Sequence, residues 1–167
     1  QEQLGERHPN VAQGLYSLVN LYLVQGRYRE AEYLNKEALV INQERLGERH
    51  PNVAQGLINL GLLYMSQGRY GKAESHYEEA LVIYREQLGE HHPSVAQGLI
   101  NLADLYITQG RYGEAEPFSQ EALAIYLKQL GEHHPSVADS LNNLAMLYQL
   151  QGRYGVAESL HEEALAI

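Results

Sequence analysis

The sequence predicts an all-α protein, a right-handed superhelical α-solenoid of helix-turn-helix repeats with a 42-residue period. Two recurring motifs are the basis of this prediction. A His-Pro step recurs every 42 residues, at 8–9, 50–51, 92–93 and 134–135. A Gln-Gly-Arg-Tyr segment recurs in the same phase, at 25–28, 67–70, 109–112 and 151–154. Because one such unit cannot bury both of its faces, neighbouring units must stack to give a stable fold.

The first helix of each unit is predicted to begin at the His-Pro step, since proline fits the first helical position, where no backbone N–H is needed. We expect it to end at Gly26, because glycine takes the left-handed conformation common at helix ends. Its apolar residues in the first copy are spaced by three and four, which is the pattern of one helical face. They are Val11, Leu15, Leu18, Val19 and Tyr22.

The second helix is predicted to begin near Tyr28 and to end at Leu46, before Gly47. Alanines recur on it at fixed positions, as expected where two helices approach closely. They form two sets, Ala31, Ala73, Ala115 and Ala157, and Ala38, Ala80, Ala122 and Ala164.

We expect one domain over residues 1–167, built from units at 5–46, 47–88, 89–130 and 131–167, with 1–4 as the tail of a preceding second helix. Gln1 aligns with Gln43 and Ile167 with Ile41, and neither end has a polar capping helix. Solenoid ends usually carry such caps. The sequence is therefore expected to be part of a longer array, or to stack head to tail with other copies of itself in an open, non-closing assembly.

Composition excludes several classes of protein. The formal net charge is -9, which argues against nucleic acid and anionic membranes as partners, because both need a basic surface. There is no cysteine, so disulfides and thiolate chemistry are excluded. No apolar run approaches bilayer length and no signal peptide opens the chain. A soluble, cytoplasmic protein is the expectation.

The motifs resemble the tetratricopeptide repeat. The family pattern of large, Leu, small, Tyr, Gly, Tyr, Ala and Ala residues is matched in the first copy and again in each later one. In the first copy the matching residues are Leu15, Leu18, Val19, Tyr22, Gly26, Tyr28, Ala31 and Ala38. The 42-residue version, with His-Pro-x-Val-Ala opening the first helix, is similar to the repeats of kinesin light chain and of bacterial arrays like it. The near-identity of the copies favours a bacterial, recently duplicated or consensus-like array. The family's proline in the second helix is present only at Pro117.

The resemblance implies a protein-interaction scaffold, in which the first helices line a concave groove for an extended peptide or a partner domain. Asparagines at one groove position are typical of a ladder that hydrogen-bonds a peptide backbone, although they are equally expected to solvate an exposed helix face or to bond the adjacent unit. No Arg or Lys occupies the groove rows, so a mixed apolar and polar peptide is favoured over an acidic tail. The candidate groove residues are Asn59, Asn101, Asn143, Ser17, Gln13, Gln55, Gln97, Tyr16, Asn20 and Asp104.

Catalysis, cofactors and metals are not expected. Four of the eight histidines belong to the His-Pro steps, and no His-x-x-x-His pair lies on a helix to bind zinc. The repeated glutamates are typical of a solvated outer face. The alternative to a peptide-binding scaffold is a structural array that associates with itself and holds no dedicated ligand.

Overall fold

The computed structural model describes the backbone of residues 9–167 and the side chains of residues 11–167. These residues form eight helices and no strand. In chain order the helices are α1 (Pro9–Val24), α2 (Tyr28–Leu46), α3 (Pro51–Ser66), α4 (Tyr70–Leu88), α5 (Pro93–Thr108), α6 (Tyr112–Leu130), α7 (Pro135–Leu150) and α8 (Tyr154–Leu165). Each predicted unit contains one pair of helices, so the all-α prediction and the helix bounds are confirmed.

Imidazole side chains cap the helices that begin at a His-Pro step. The Nδ1 atoms of His50, His92 and His134 each accept a hydrogen bond from the backbone N–H two residues on, at 3.1 Å. That N–H is one of the donors left without an intrahelical partner at a helix start. The histidine and the proline together therefore define where α3, α5 and α7 begin.

Glycine ends the helices, as predicted. Gly26 has a φ of 72° and Gly47 a φ of 95°, and every residue of positive φ in the described part of the chain is a glycine. A side chain at these positions would be strained, because L-residues rarely adopt this conformation. The turns between helices consequently require glycine.

The chain divides into two compact units, Gln1–Gln87 and Leu88–Ile167. In the first unit, α2 packs against both α1 and α3, and α1 also contacts α3. In the second, α6 packs against α5 and α7, and α7 packs against α8. The boundary falls at the end of the second predicted repeat.

Small residues bring the helices of each repeat close together. Ala31, Ala73 and Ala115 have no exposed surface. At the position of Gly61 an added Cβ would lie within 3 Å of three ring carbons of Tyr77, so the α3 backbone packs directly on that ring. Contact between a glycine and an aromatic ring therefore fixes how closely α3 and α4 approach.

Candidate functional site

The predicted groove residues project from the first helix of each repeat, with very different exposure. Five of them are exposed. They are Gln13, Ser17, Asn20, Gln55 and Gln97. Two more, Asp104 and Asn143, are partly buried. The remaining three, Tyr16, Asn59 and Asn101, are buried.

The asparagine row is less accessible than a backbone-binding ladder requires. Asn59 is 4% exposed and Asn101 is 8% exposed, whereas Asn143 is partly open. The Nε2 of Gln55 donates a hydrogen bond to the Oδ1 of Asn59 at 3.3 Å, so an amide of the groove itself occupies that acceptor. Within this row, Asn143 offers the most surface to a ligand.

Tyr16 corrects one prediction. It is 3% exposed, and its hydroxyl accepts a hydrogen bond from the Nδ2 of Asn42 at 3.1 Å and donates to the carbonyl of Asn52 at 3.3 Å. Burial raises the pKa of Tyr16, so this hydroxyl keeps its proton. Tyr16 is thus a packing residue that links the first two repeats, and it does not form part of a ligand surface.

An open depression of about 330 Å³ lies beside α5, α6 and α7, all within the second compact unit. Its rim includes Gln97 and Asn143 of the predicted set, with Asn142 and Asp139 beside them. Tyr126 closes it from α6, and burial, followed by the nearby Asp139 carboxylate, raises the pKa of Tyr126. The depression presents amide and carboxylate groups and no basic side chain, and we call it the α5–α7 depression.

A smaller cleft of about 10 Å³, which we call the Asp104 cleft, adjoins this depression and shares Ile100, Ser140 and Asn143 with it. Ser119 of α6 lines it as well. Burial raises the pKa of Asp104, because a carboxylate taken out of water loses hydration. The structure therefore brings three of the predicted groove residues, Gln97, Asp104 and Asn143, to one place.

Residues of the second helix complete this site, although the repeat pattern did not predict them. Tyr126 and Ser119 belong to α6, which the groove prediction did not include. One signal was present: the position of Ser119 is occupied by Asn35, Tyr77 and His161 in the other copies, which makes it one of the least regular on the second helix. Such irregularity in a near-identical array indicates a position that packing does not constrain in the same way throughout.

Another recurring arrangement, involving the turn motif, was also missed. Arg27, Arg69, Arg111 and Arg153 each place their guanidinium over the ring of a first-helix tyrosine, at 3.9–4.4 Å from its centroid. Arg153 also donates to the carboxylate of Glu116 at 3.0 Å, and the hydroxyl of Tyr148 donates to that carboxylate at 3.1 Å. The ring contacts fix the turn within each repeat, and the bonds to Glu116 join the last two repeats, so the recurring spacing of the Gln-Gly-Arg-Tyr segment has a structural explanation.

The structure also bears on metals and membranes. Among residues 9–167, no group of three or more His, Asp or Glu side chains is placed to hold a metal ion. Within the same range, no helix has the length and apolarity needed to cross a bilayer.

Comparison with known proteins identifies the fold. The tetratricopeptide repeat family model matches residues 10–86, 52–128 and 96–167. No curated protein matches the sequence. The structure is similar to that of BtubC (BKLC) from P. vanneervenii, with a TM-score of 0.84 and 27% identity over 99% of this chain. The chain spans 66% of that protein's length.

Two further structures extend the comparison. The kinesin light chain nearly identical TPR-like repeats of Podosopora anserina give a TM-score of 0.82 and 28% identity, covering 95% of this chain and 75% of that one. Aspartyl phosphate phosphatase F from Bacillus subtilis gives a TM-score of 0.83 at 17% identity, covering 95% of this chain and 40% of that one, which is a likeness of fold alone. Tetratricopeptide repeats generally form non-enzymatic scaffolds for protein interaction. With matched segments from residue 10 to residue 167 and an all-α repeat fold, the chain belongs to the tetratricopeptide repeat family.

Proposed function

We propose that this chain is a protein-interaction scaffold that holds an extended peptide segment, or an extended segment of a partner domain, against its first helices. The α5–α7 depression is the observation that supports this most directly. It is open, about 330 Å³ in volume, and polar groups converge on it from three helices. Binding sites are typically concave and carry a small number of polar groups that fix the orientation of the ligand.

Amide side chains suit the depression to a peptide backbone. Gln97 and Asn143 each offer a donor and an acceptor, which can pair with the N–H and C=O groups of an extended chain whatever its side chains. Asn142, whose Oδ1 is paired with Nδ1 of His161 at 2.8 Å, adds its Nδ2 donor. Asn59 and Asn101 contribute less in this proposal than the sequence led us to expect, because they are almost fully covered. The peptide contact is therefore assigned to Asn143 and to the Nδ2 group of Asn142 on α7, with Gln97 on α5.

A triple substitution of the rim tests the proposal. The rim variant combines Gln97→Ala, Asn142→Ala and Asn143→Ala. Captured partner proteins are expected to bind it at least about tenfold more weakly than the unchanged chain, since each hydrogen bond contributes about 1 kcal/mol. A matched control changes three exposed polar residues of α6 and α8, namely Gln129, Glu158 and Ser159, to alanine. Affinity-purification followed by quantitative binding, with circular dichroism to verify folding, gives the readout.

The binding measurement on the rim variant distinguishes peptide binding from self-association. The alternative is a structural array that associates with itself and holds no dedicated ligand. A self-associating array predicts that the mass measured by light scattering rises with protein concentration. It also predicts that no partner protein binds the rim variant more weakly than the unchanged chain. Partners that bind the rim variant and the control equally well would refute the peptide-binding proposal.

A further inference from the structure

We propose that the α5–α7 depression binds the side-chain ring of a phenylalanine in the extended peptide. The inference rests on the proposed peptide-binding function and names the side chain that the depression selects. Two equivalent places in the repeat, each inside one compact unit, support it. One is the α5–α7 depression, and the other is the place where α1, α2 and α3 meet, which we call the α1–α3 junction.

The ring of Tyr16 fills the α1–α3 junction. Its hydroxyl accepts a hydrogen bond from the Nδ2 of Asn42 at 3.1 Å and donates to the carbonyl of Asn52 at 3.3 Å. On α3, a Cβ added at Gly56 would overlap this hydroxyl. Because Tyr16 is only 3% exposed, the junction encloses an aromatic side chain that the chain itself contributes.

The same four repeat positions surround the α5–α7 depression. Two periods of 42 residues separate the members of each equivalent pair, which are Tyr16 and Ile100, Asn42 and Tyr126, Asn52 and Ser136, and Gly56 and Ser140. The second member of every pair lines the depression. Isoleucine lacks the ring that tyrosine carries into the α1–α3 junction, so the third repeat leaves this place open to a ring from another molecule.

Two apolar side chains of the depression suit such a ring. Tyr126 occupies the position of the smaller Asn42, yet about 330 Å³ stays open beside it and Ile100. A volume of that order is typical of sites that enclose a small ligand. Aromatic rings also pack favourably on one another in offset or edge-to-face contact. A phenylalanine ring can therefore lie against Ile100 and Tyr126 while its backbone meets Gln97 and Asn143 on the rim.

Ser140 favours a ring without a hydroxyl. At the α1–α3 junction, Gly56 leaves the space that the Tyr16 hydroxyl occupies, whereas the depression has a serine side chain at that position. The Ser140 hydroxyl donates to the carbonyl of Ser136 at 2.8 Å, and this carbonyl is the equivalent of the one to which Tyr16 donates. Ser140 thus takes both the space and the acceptor of a phenol hydroxyl, so phenylalanine fits better than tyrosine.

A display library of heptapeptides with a fixed central residue tests the inference on the full chain. The central residue is phenylalanine, tyrosine, leucine or alanine, and the flanking positions are random. We expect phenylalanine peptides to be enriched about tenfold or more over alanine peptides, because a buried aromatic side chain removes a large apolar area from water. They should also exceed tyrosine and leucine peptides. Equal enrichment of leucine would overturn the assignment to an aromatic ring, and equal enrichment of tyrosine would overturn the assignment to phenylalanine.

A variant that fills the depression locates the preference. Ile100→Phe places a ring of the chain's own in the depression, as Tyr16 does at the α1–α3 junction, and should abolish the phenylalanine enrichment. Leu150→Phe adds the same ring at a position of α7 that is 46% exposed and lies outside the depression, so it should leave the enrichment intact. Circular dichroism verifies that both variants fold. A folded Ile100→Phe chain that still selects phenylalanine peptides would overturn the site.

A second variant changes the preference without removing the site. Ser140→Gly recreates the glycine of the α1–α3 junction and should raise the enrichment of tyrosine peptides to that of phenylalanine peptides. A gain of binding cannot result from unfolding, so this measurement decides the matter even if Ile100→Phe does not fold. A Ser140→Gly chain that discriminates against tyrosine as strongly as the unchanged chain would contradict the inference.

The failure of this inference can be told apart from the failure of the proposed function. Peptides whose binding is weakened by the rim substitutions, but which show no preference for a central phenylalanine, would overturn the ring site and leave the scaffold function in place. Peptides insensitive both to the rim substitutions and to Ile100→Phe, or a library from which nothing is retained, would overturn both.

Discussion

In the second repeat, the ring of Tyr77 occupies the space that a side chain at position 61 would fill, and position 61 is glycine. The third repeat has Ala103 and Ser119 at the two equivalent positions. The smaller serine leaves room for the alanine methyl and also helps to form the Asp104 cleft. Two single-residue differences between near-identical repeats therefore decide whether this part of the repeat is a packed interface or a cleft.

Gly61→Ala should destabilise the protein by about 1–3 kcal/mol, because the added methyl overlaps the Tyr77 ring and a well-packed core tolerates extra volume poorly. Urea unfolding monitored by circular dichroism measures the change. Gly71→Ala is the control: an added methyl there meets nothing within 4 Å, so stability should be unchanged or slightly raised.

A second substitution, at Tyr77, tests whether overlap with the tyrosine ring causes the loss of stability. Combining Gly61→Ala with Tyr77→Ser recreates the residue pair of the third repeat, and the double-mutant cycle should show that the two substitutions are not additive. Additive losses would mean that steric overlap with the ring is not the cause.

Pairs of helices from successive repeats are joined by buried apolar contacts and by a polar network at one end. Between α6 and α7, the Glu116 carboxylate accepts hydrogen bonds from the Gln151 amide at 3.0 Å, from the Tyr148 hydroxyl and from Arg153, which lies in the turn after α7. The first two repeats have a related arrangement, in which the Tyr64 hydroxyl donates to Glu32 at 3.1 Å. This network orients each helix pair relative to the next, because its donors come from the helix and the turn of the following repeat.

The network predicts a pH dependence of stability. Hydrogen bonds from Gln151, Arg153 and Tyr148 hold the pKa of Glu116 below its ordinary value of 4.5. A carboxyl group with a lowered pKa in the folded state stabilises the protein above its unfolded pKa, and that contribution is lost as pH falls through the folded pKa. Glu116→Gln should therefore cost about 1 kcal/mol at neutral pH, an amount limited by the exposure of Arg153, and the cost should vanish in strong acid.

Urea unfolding at neutral pH and near pH 2 gives the two values for each protein. Glu162→Gln, an exposed residue on α8, is the control and should change stability little at either pH. If Glu116→Gln lowers the free energy of unfolding by the same amount at both pH values, the carboxylate charge is not involved.

In each compact unit, packing is local in sequence: most contacts join a helix to the next one along the chain, and α1 also contacts α3. In repeat proteins, stability is approximately the sum of the stabilities of the repeats and of the interfaces between neighbours. The second unit contains the helix pairs α5–α6 and α7–α8 and the interface between α6 and α7, together with the α5–α7 depression.

A chain consisting of Leu88–Ile167 is accordingly expected to fold by itself. Its circular dichroism spectrum should be helical, and its thermal transition should be cooperative but at a lower temperature than that of the full chain, since repeat interfaces are lost. A broad, non-cooperative melt would show that residues 1–87 are needed to form this unit.

Local signals alone were sufficient to predict the helices and their ends. The His-Pro steps, the glycines of positive φ and the three-and-four spacing act within a few residues of one another, so they determine secondary structure without information about tertiary contacts. The repeat period then implied the fold class, because each repeat must bury its faces on another. Of the candidate site, Gln97, Asp104 and Asn143 were identified from repeat position and lie together in the structure.

Tertiary structure decided which of those polar residues a ligand could reach. Asn59, Asn101 and Asn143 are identical in sequence and in repeat position, yet the first two are almost fully covered and the third is partly open. Tyr16 was likewise predicted to line the groove, but its hydroxyl is buried between Asn42 and Asn52. The physical reason is that helix-forming signals are local, whereas exposure depends on the sizes of side chains contributed by other helices, such as Ser119 beside Asp104.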